Sequence, residues 1–191
     1  RRTGIGMYTQ ALLWHLPPAM PEDRFLAWYL DVRQIGRSPR RFAGRAPNLR
    51  EHATRIPSRV FGPVSSRIGV PRLEWLARGT DLLLATNYLP PPTQGPGIVL
   101  VVHDLAFDTM PETAPHHDQR WRRAFARRLR DAAAVIVPSE ATRTDLLEHH
   151  PVEAARVHVV AHGTDAEAFT PASPIEVDEL RARRGIDGPY V

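Results

Sequence analysis

The feature that most constrains the fold is an unbroken apolar run at residues 98–102, which leads directly into His103 and Asp104. An apolar run of this length, without polar alternation, is typical of a strand buried on both faces in a parallel sheet covered by helices. In open α/β sheets, ligands bind at the carboxyl ends of the strands. His103 and Asp104 are therefore predicted to stand at the mouth of a site, although a polar pair that only satisfies its own turn gives the same pattern.

Strand-like and helix-like patterns alternate through the second half of the chain. The predicted elements are strands at residues 134–137 and 156–160 and helices at residues 119–131, 140–149 and 176–184. Such alternation predicts βαβ units, and hence an α/β fold with a parallel sheet and helices on both faces. In the first half, residues 25–30 and 81–85 are predicted to be buried strands, and residues 72–78 a short helix.

Gly4 and Gly6 precede an amphipathic pattern that predicts a helix, which Pro17 and Pro18 are expected to end. A glycine turn at a helix N-terminus exposes backbone N–H groups and the positive end of the helix dipole, which suits a phosphate. The pattern is not a full dinucleotide fingerprint, because Thr9 occupies the third glycine position and no strand precedes the turn. A phosphate site and a purely structural turn both remain open.

Asn87 and Tyr88 follow a predicted strand that neighbours the central one. Because the carboxyl ends of parallel strands meet at the same edge of a sheet, these side chains can line the same cleft as His103. The alternative is an ordinary loop in which Tyr88 packs on Pro90.

Two stretches are predicted to be loops. Residues 33–71 hold nine arginines with prolines and glycines among them, which indicates a long basic loop with short helical or strand pieces. Residues 107–117 are predicted to form a second loop, which ends where Asp118 caps the helix at residues 119–131.

The 191-residue chain has a formal net charge of +4, and all 25 of its basic residues are arginine. Guanidinium groups bind phosphate in bidentate geometry, so this composition suits phosphates or anionic lipid, although codon bias in a GC-rich genome produces the same preference. Six arginines fall on the helix at residues 119–131. Their face is either solvated or in contact with an anionic membrane surface. No nucleic-acid binding motif accompanies them.

The chain contains no cysteine, which excludes disulfides, thiolate catalysis and zinc–thiolate sites. We expect a cytoplasmic protein with peripheral association at the inner membrane face as a second location. The adjacent histidine pairs at 116–117 and 149–150 lack the spacing of a metal site. Neither a Gly-x-Ser-x-Gly elbow nor a P-loop is present, so serine hydrolase and nucleotide triphosphatase functions lose support.

Several segments, in order and spacing, resemble the N-terminal domain of GT-B glycosyltransferases of the retaining, family-4 kind, which includes many bacterial mannosyltransferases. The segments are residues 3–9, residues 102–107 with Pro111 and Glu112, residues 130–146, and residues 156–165 with Phe169 and Pro171. The resemblance implies one half of a GT-B fold, a Rossmann-like domain that binds the acceptor and faces a second domain that binds a nucleotide-sugar donor.

The same resemblance implies roles for individual residues. Gly4 and Gly6 are expected to approach the donor diphosphate, and His103, the catalytic candidate, to contact the transferred sugar. Asp104, at the same strand end, is retained from its position as a candidate for substrate binding and is expected chiefly to cap the turn beside it. Ser139 matches a family serine at the start of a helix, where we expect chiefly a helix cap.

The implied reaction is transfer of a hexosyl group from a nucleotide sugar to a glycan, lipid or small-molecule acceptor. It is expected to need no metal or other cofactor and to depend on positioning and on electrostatic stabilisation of the leaving group.

We expect residues 1–175 to form the N-terminal domain without its first strand. Residues 176–191 are expected to form a linker and the start of a C-terminal donor-binding domain, which makes this chain a fragment that is inactive alone. Ala161 and His162 depart from the Pro and Asn common in the family, and Gly163 is expected to supply a positive φ there. The alternative function is a non-catalytic Rossmann-like module that binds a dinucleotide or a phosphorylated metabolite.

Overall fold

The computed structural model of the protein describes residues 3–30, 42, 44–54, 72–95, 97–114, 117–165 and 169–189. The chain divides into two compact units, residues 1–160 and residues 161–191. Much of the predicted basic loop at residues 33–71 lies outside the described residues.

The first unit alternates strands and helices. Its elements are α1 (Gly4–Ala19), β1 (Phe25–Leu30), β2 (Leu49–Thr54), α2 (Leu73–Leu76), β3 (Leu82–Ala85), β4 (Gly97–Val101), α3 (Ala106–Thr109), α4 (Gln119–Asp131), β5 (Ala134–Val137), α5 (Glu140–His149) and β6 (Val157–Val159), with 3-10 turns at Pro111–Thr113 and Ala154–Arg156. Every strand and helix predicted for this unit is present, with shifts of a few residues at most ends.

The strands form two parallel sheets. One pairs β1 with β2, and the other has the order β3-β4-β5-β6. In the larger sheet Leu100 of β4 lies opposite Ala85 on one side and Val135 on the other. The prediction of a Rossmann-like α/β fold is confirmed, and β4 is an inner parallel strand as its apolar run predicts.

The main core forms around β4. Leu100 and Val102 are fully buried, and Phe107 and Phe125 pack edge to face with their ring centroids 5.2 Å apart. Full burial of one such side chain stabilises the fold by roughly 1.5–3 kcal/mol. Ile5 of α1 packs against this core.

A smaller apolar cluster lies on the β1–β2 sheet. Ala27 and Leu49 are buried there, and Leu13 of α1 packs on them. Because the first turn of α1 contacts the main core and a later turn contacts this cluster, α1 connects the two sheets.

The end of α1 differs from the prediction. The helix continues through Pro17 and Pro18 to Ala19. The side-chain amide nitrogen of Asn48 lies 2.9 Å from the carbonyl oxygen of Pro17 and 3.0 Å from that of Met20. Proline has no backbone N–H, so it cannot donate the hydrogen bond that a residue in a helix normally makes. In this helix the side chain of the distant Asn48 stabilises the last turn by donating to its carbonyl oxygens.

Two outer strands are less buried than predicted. Leu26 of β1 and Leu82 of β3 are exposed, by 40% and 56% respectively. Within the described part of the chain, both strands lie at the edge of their sheet, which leaves their side chains partly open to solvent.

The predicted loop at residues 107–117 contains a helix, α3. Its start is stabilised by Asp104, whose carboxylate Oδ1 accepts the backbone N–H of Ala106 at 3.0 Å. Such a turn, closed by an aspartate two residues back, is a common alternative to regular structure. Phe107 on α3 is 1% exposed, and its burial fixes the short helix against the core.

Two helices have the bounds that local signals predict. Asp118 accepts the N–H of Trp121 at the start of α4, and Ser139 accepts the N–H of Thr142 at the start of α5. The guanidinium of Arg156 satisfies the carbonyl end of α4, since it donates to the carbonyl oxygens of Arg130 and Ala132.

The second unit contains α6 (Pro174–Arg184). Ser173 and Glu176 form a reciprocal capping box, and the hydrogen bonds from Ser173 hold the pKa of Glu176 below its ordinary value. The helix begins two residues before the predicted residue 176 and ends at Gly185, which has φ 64°. Gly163 does not have a positive φ, so that expectation is wrong.

Candidate functional site

The candidate site lies at the carboxyl edge of the larger sheet. Thr86 and Asn87 follow β3, His103 follows β4, and Ser139 follows β5. Since these strands are parallel and adjacent, their carboxyl ends meet at this one edge. The N-terminal turns of α1 reach the same edge through the contacts described next.

His103 is held from two sides. Its Nε2 lies 3.2 Å from the carbonyl oxygen of Thr86, so this nitrogen carries the proton and donates. The ring of Tyr8 meets the imidazole edge to face, with the centroids 5.0 Å apart. His103 is half-buried, so the residue keeps some contact with solvent.

Helix α1 is joined to the strand ends by a hydroxyl pair. The Oγ1 atoms of Thr9 and Thr86 are hydrogen-bonded at 2.8 Å. Tyr8 and Thr9 therefore connect α1 to the ends of both β4 and β3. Burial raises the pKa of Tyr8 above its ordinary value.

The two glycines of α1 differ in what surrounds them. A Cβ on Gly6 would lie 3.2 Å from Oγ1 of Thr3, which caps the helix by accepting the N–H of Gly6. A Cβ on Gly4 would meet no atom within 4 Å. Neither glycine has a positive φ. Contact with the Thr3 cap explains why residue 6 is a glycine. No contact among the described residues explains the glycine at position 4.

Gly4 lies on α1 one helical turn before Tyr8, the residue that packs on His103. Gly4 and Tyr8 are four residues apart and so share one face of α1. Because Tyr8 packs on His103, the exposed backbone of Gly4 lies one turn from the Tyr8–His103 contact.

Tyr88 is a buried support of the His103–Asp104 turn. Its hydroxyl donates to the carbonyl oxygen of Asp104 and accepts the backbone N–H of the same residue, both at 3.3 Å. Burial, and then the charge of Asp104, raise the pKa of Tyr88 to about 12. The ring packs edge to face on Phe107 at 5.7 Å, so Tyr88 belongs to the core.

Asn87 and Ser139 both use their side chains locally. Oδ1 of Asn87, which is exposed, accepts the N–H of Tyr88 at 2.8 Å. The hydroxyl of Ser139 accepts the N–H of Thr142 at 3.1 Å, which is the predicted cap. Asp104 likewise caps the turn to Ala106. The structure therefore brings His103 close to α1, while Asn87, Asp104 and Ser139 each hydrogen-bond the backbone of their own turn.

A partly buried polar network of Asp108, Arg122 and His150 has no counterpart in the sequence analysis. Oδ1 of Asp108 accepts from Nη1 of Arg122 at 2.8 Å, and Oδ2 lies 2.7 Å from Nε2 of His150. Arg122 also donates to the carbonyl oxygens of Phe107 and His117. The network ties α3 to α4 and to the end of α5.

Sequence reasoning missed Tyr8, Thr86 and this network for different reasons. Tyr8 is on the apolar stripe of α1, and such a pattern by itself indicates only packing. Arg122 and His150 lie 14 and 42 positions from Asp108 in the sequence. No local spacing signals a contact of that range.

No group of three or more His, Cys, Asp or Glu side chains among the residues that the structure covers is arranged to hold a metal ion. Within the same residues, no helix is both long and apolar enough to cross a membrane.

Comparison with known proteins gives one match. The family model described as Glycosyltransferase Family 4 matches residues 29–168. That range includes Asn87, Tyr88, His103, Asp104 and Ser139. Gly4 and Gly6 precede it. Comparisons with curated proteins and with solved structures give no match.

Proposed function

Since the chain belongs to Glycosyltransferase Family 4, we propose that it forms the acceptor-side half of a retaining glycosyltransferase. The enzyme moves a hexosyl group from a nucleotide sugar to a glycan, lipid or small-molecule acceptor. The resemblance noted in the sequence favours mannose as the hexose, and the absence of cysteine fits the cytoplasm as the location.

The observation that carries this proposal is the arrangement of His103, Tyr8 and Gly4. An imidazole oriented by the Thr86 carbonyl and the Tyr8 ring lies at the carboxyl edge of a parallel sheet. One helical turn away, an exposed glycine begins a helix. This combination suits a sugar diphosphate, because it offers a side chain for the sugar and a helix N-terminus for the phosphates.

Each candidate receives a role under this proposal. His103 hydrogen-bonds a hydroxyl of the transferred sugar, and Gly4 allows the diphosphate to approach the first turn of α1. Gly6 makes room for the Thr3 cap of that turn. Tyr88 and Asp104 hold the His103 turn in position and do not contact substrate themselves.

Asn87 is exposed at this edge, and we assign it to the acceptor side. Ser139 acts through its cap, which fixes the N-terminal turn of α5 next to the cleft. Neither assignment requires either side chain to move.

Catalysis in this proposal is by positioning. His103 and the α1 N-terminus orient the sugar and its diphosphate, and the leaving group is stabilised by preorganised donors instead of by a metal. Addition of EDTA is expected to leave the transfer rate unchanged.

The test uses the protein that the complete gene encodes, with a panel of radiolabelled nucleotide sugars that includes GDP-mannose. His103→Ala is expected to lower kcat/KM by on the order of 10²-fold, as loss of one preorganised donor does. His158→Ala is the matched control, because His158 is exposed on β6. Unchanged turnover in His103→Ala would remove this residue from the site.

The same assay separates transfer from the alternative of a non-catalytic module. Binding of a nucleotide or dinucleotide by the wild-type protein, without any sugar transfer across the panel, would favour the module. Transfer that depends on His103 would reject it.

A further inference from the structure

Thr86 makes two different contacts at the end of β3, one through its backbone and one through its side chain. Its carbonyl oxygen lies 3.2 Å from Nε2 of His103, and its Oγ1 lies 2.8 Å from Oγ1 of Thr9. The first contact orients the imidazole, and the second reaches helix α1. One residue therefore contacts both His103 and the helix whose N-terminus lies at the same edge.

Thr9 extends this connection to the first turn of α1. Its hydroxyl also lies 2.8 Å from the carbonyl oxygen of Ile5, one turn earlier in the helix. Ile5 is in the turn that begins with Gly4. A continuous set of contacts thus runs from the N-terminal turn of α1, through Thr9 and Thr86, to the ring of His103.

Apolar packing holds the N-terminal half of α1 only in part. In this helix, all of whose residues are described, only Pro17 near the far end is buried. Ile5 and Tyr8 are half-buried, and they pack on the main core and on the ring of His103 respectively. Because little apolar surface is fully removed from water here, the polar contacts have a larger share in setting the position of the first turn.

The two ends of this connection serve different parts of a sugar diphosphate under the proposed function. His103 contacts the transferred sugar, and the first turn of α1 approaches the diphosphate. These two groups are joined covalently in the substrate, so a site that binds both needs its two halves held in a matching relative position.

We propose that Thr9 and Thr86 are positioning residues for the transfer reaction, and this proposal rests on the proposed function. Their hydroxyl pair holds the first turn of α1 against the end of β3. It also fixes Thr86 so that its carbonyl oxygen orients the imidazole of His103. Neither hydroxyl needs to touch the substrate, and a contact between residues 77 positions apart sets both halves of the site.

The test variants remove one hydroxyl at a time from the protein that the complete gene encodes. Thr9→Val and Thr86→Val keep a β-branched side chain and lose the hydrogen bond of the pair, whereas Thr9→Ser and Thr86→Ser retain the hydroxyl. Thr80→Val is the matched control. Thr80 is a half-buried threonine just before the opposite end of β3, and its hydroxyl donates to the carbonyl oxygen of Ala77 at 2.8 Å.

The first measurement observes His103 directly and does not depend on sugar transfer. In protein with isotope-labelled histidine, at a pH where imidazole is neutral, the NMR shifts of the ring nitrogens report which nitrogen carries the proton. His103→Ala identifies the signals of this residue. Wild type should carry the proton on Nε2, because the carbonyl oxygen of Thr86 accepts from it.

Both valine variants at the hydroxyl pair should move these shifts towards a mixture of the two neutral forms of the ring. Thr80→Val should leave the shifts unchanged. Circular dichroism checks that each variant is folded, so that a change in the shifts reports on the site and not on unfolding.

The second measurement is the steady-state rate with the nucleotide sugar that the wild type uses. Thr9→Val and Thr86→Val should each lower kcat by about tenfold, as loss of one hydrogen bond that positions a reacting group does. The double variant should be no slower than the slower single variant, because both changes break the same pair. The two serine variants should retain most of the wild-type rate.

Two results would overturn the proposal. One is that the nitrogen shifts of His103 in both valine variants equal those in Thr80→Val. The other is that the double variant multiplies the two single losses in kcat, or that serine does not restore the rate. Absence of sugar transfer by the wild type would instead overturn the proposed function, and the nitrogen shifts alone would then show whether the hydroxyl pair orients His103.

Discussion

Replacement of Asp108 by alanine should be among the most destabilising single changes at a polar residue in this chain. The Asp108 and His150 side chains are only 13% and 10% exposed, and Asp108 bridges His150 to Arg122. Loss of the carboxylate leaves the His150 N–H without its acceptor, which costs about 1–3 kcal/mol. Arg122 is 32% exposed, so its lost ion pair adds only about 0.5–1 kcal/mol.

The free energy of unfolding is therefore expected to fall by about 3 kcal/mol, which lowers Tm by about 6–12 °C in a chain of this size. Thermal melts and urea titrations, followed by circular dichroism, measure the change. Asp108→Asn keeps the side-chain volume and one acceptor oxygen, so we expect about half of this loss.

Asp131→Ala is the control, because Asp131 pairs with Arg128 and Arg130 only at 3.7 and 3.9 Å with about half of its side chain exposed. Its effect should stay within about 0.5 kcal/mol. If Asp108→Ala and Asp131→Ala have the same small effect, the network does not stabilise α3 against α4 and α5, and the reasoning is refuted.

Three further changes test separate parts of the structure. Hydrogen bonds from Thr93 and from the backbone of the same loop lower the pKa of Glu74 to about 2 from 4.5. The stability advantage of wild type over Glu74→Gln should therefore be full above pH 4.5 and vanish as the pH falls towards 2. A difference in Tm that persists at pH 2 would contradict this. Ser139→Ala should cost about 1 kcal/mol in urea titrations, whereas Ser139→Asp, which retains the cap, should cost little; lost activity in a stable Ser139→Asp would show that the hydroxyl contacts substrate. Arg156→Met should cost about 2 kcal/mol, because the charge-assisted bonds to the carbonyl end of α4 are lost, and an unchanged Tm would rule out that role.

The sequence predicts elements whose ends are set locally. Helix α4 has the predicted bounds because Asp118 caps it and its apolar stripe has helical spacing. The same holds for the cap at Ser139. The central strand β4 is predictable because both of its faces are apolar.

Elements that depend on distant residues are not predictable in this way. The last turn of α1 passes through Pro17 because Asn48, 31 residues away, bonds to its carbonyl oxygen. Helix α3 forms where a loop was predicted, because its Phe107 fills the core beneath it. Only the folded chain reveals these tertiary contacts.

The candidate site likewise combines one feature that the sequence predicts with contacts that it does not. The position of His103 at a strand end follows from the apolar run before it. The two contacts that hold His103 cannot be predicted from that run, because Thr86 contributes a backbone carbonyl and Tyr8 contributes a ring edge. The buried hydroxyl of Tyr88 is likewise a contact between residues 16 positions apart, which has no local signal.

The most direct test of the proposed function is the configuration of the reaction product. The protein encoded by the complete gene is incubated with a nucleotide sugar and an acceptor, and the new glycosidic linkage is assigned by NMR. A retaining enzyme should give a product with the same anomeric configuration as the donor, and the His103→Ala variant should form it on the order of 10²-fold more slowly. A product of inverted configuration, or no sugar transfer with any donor in the panel, would contradict the account.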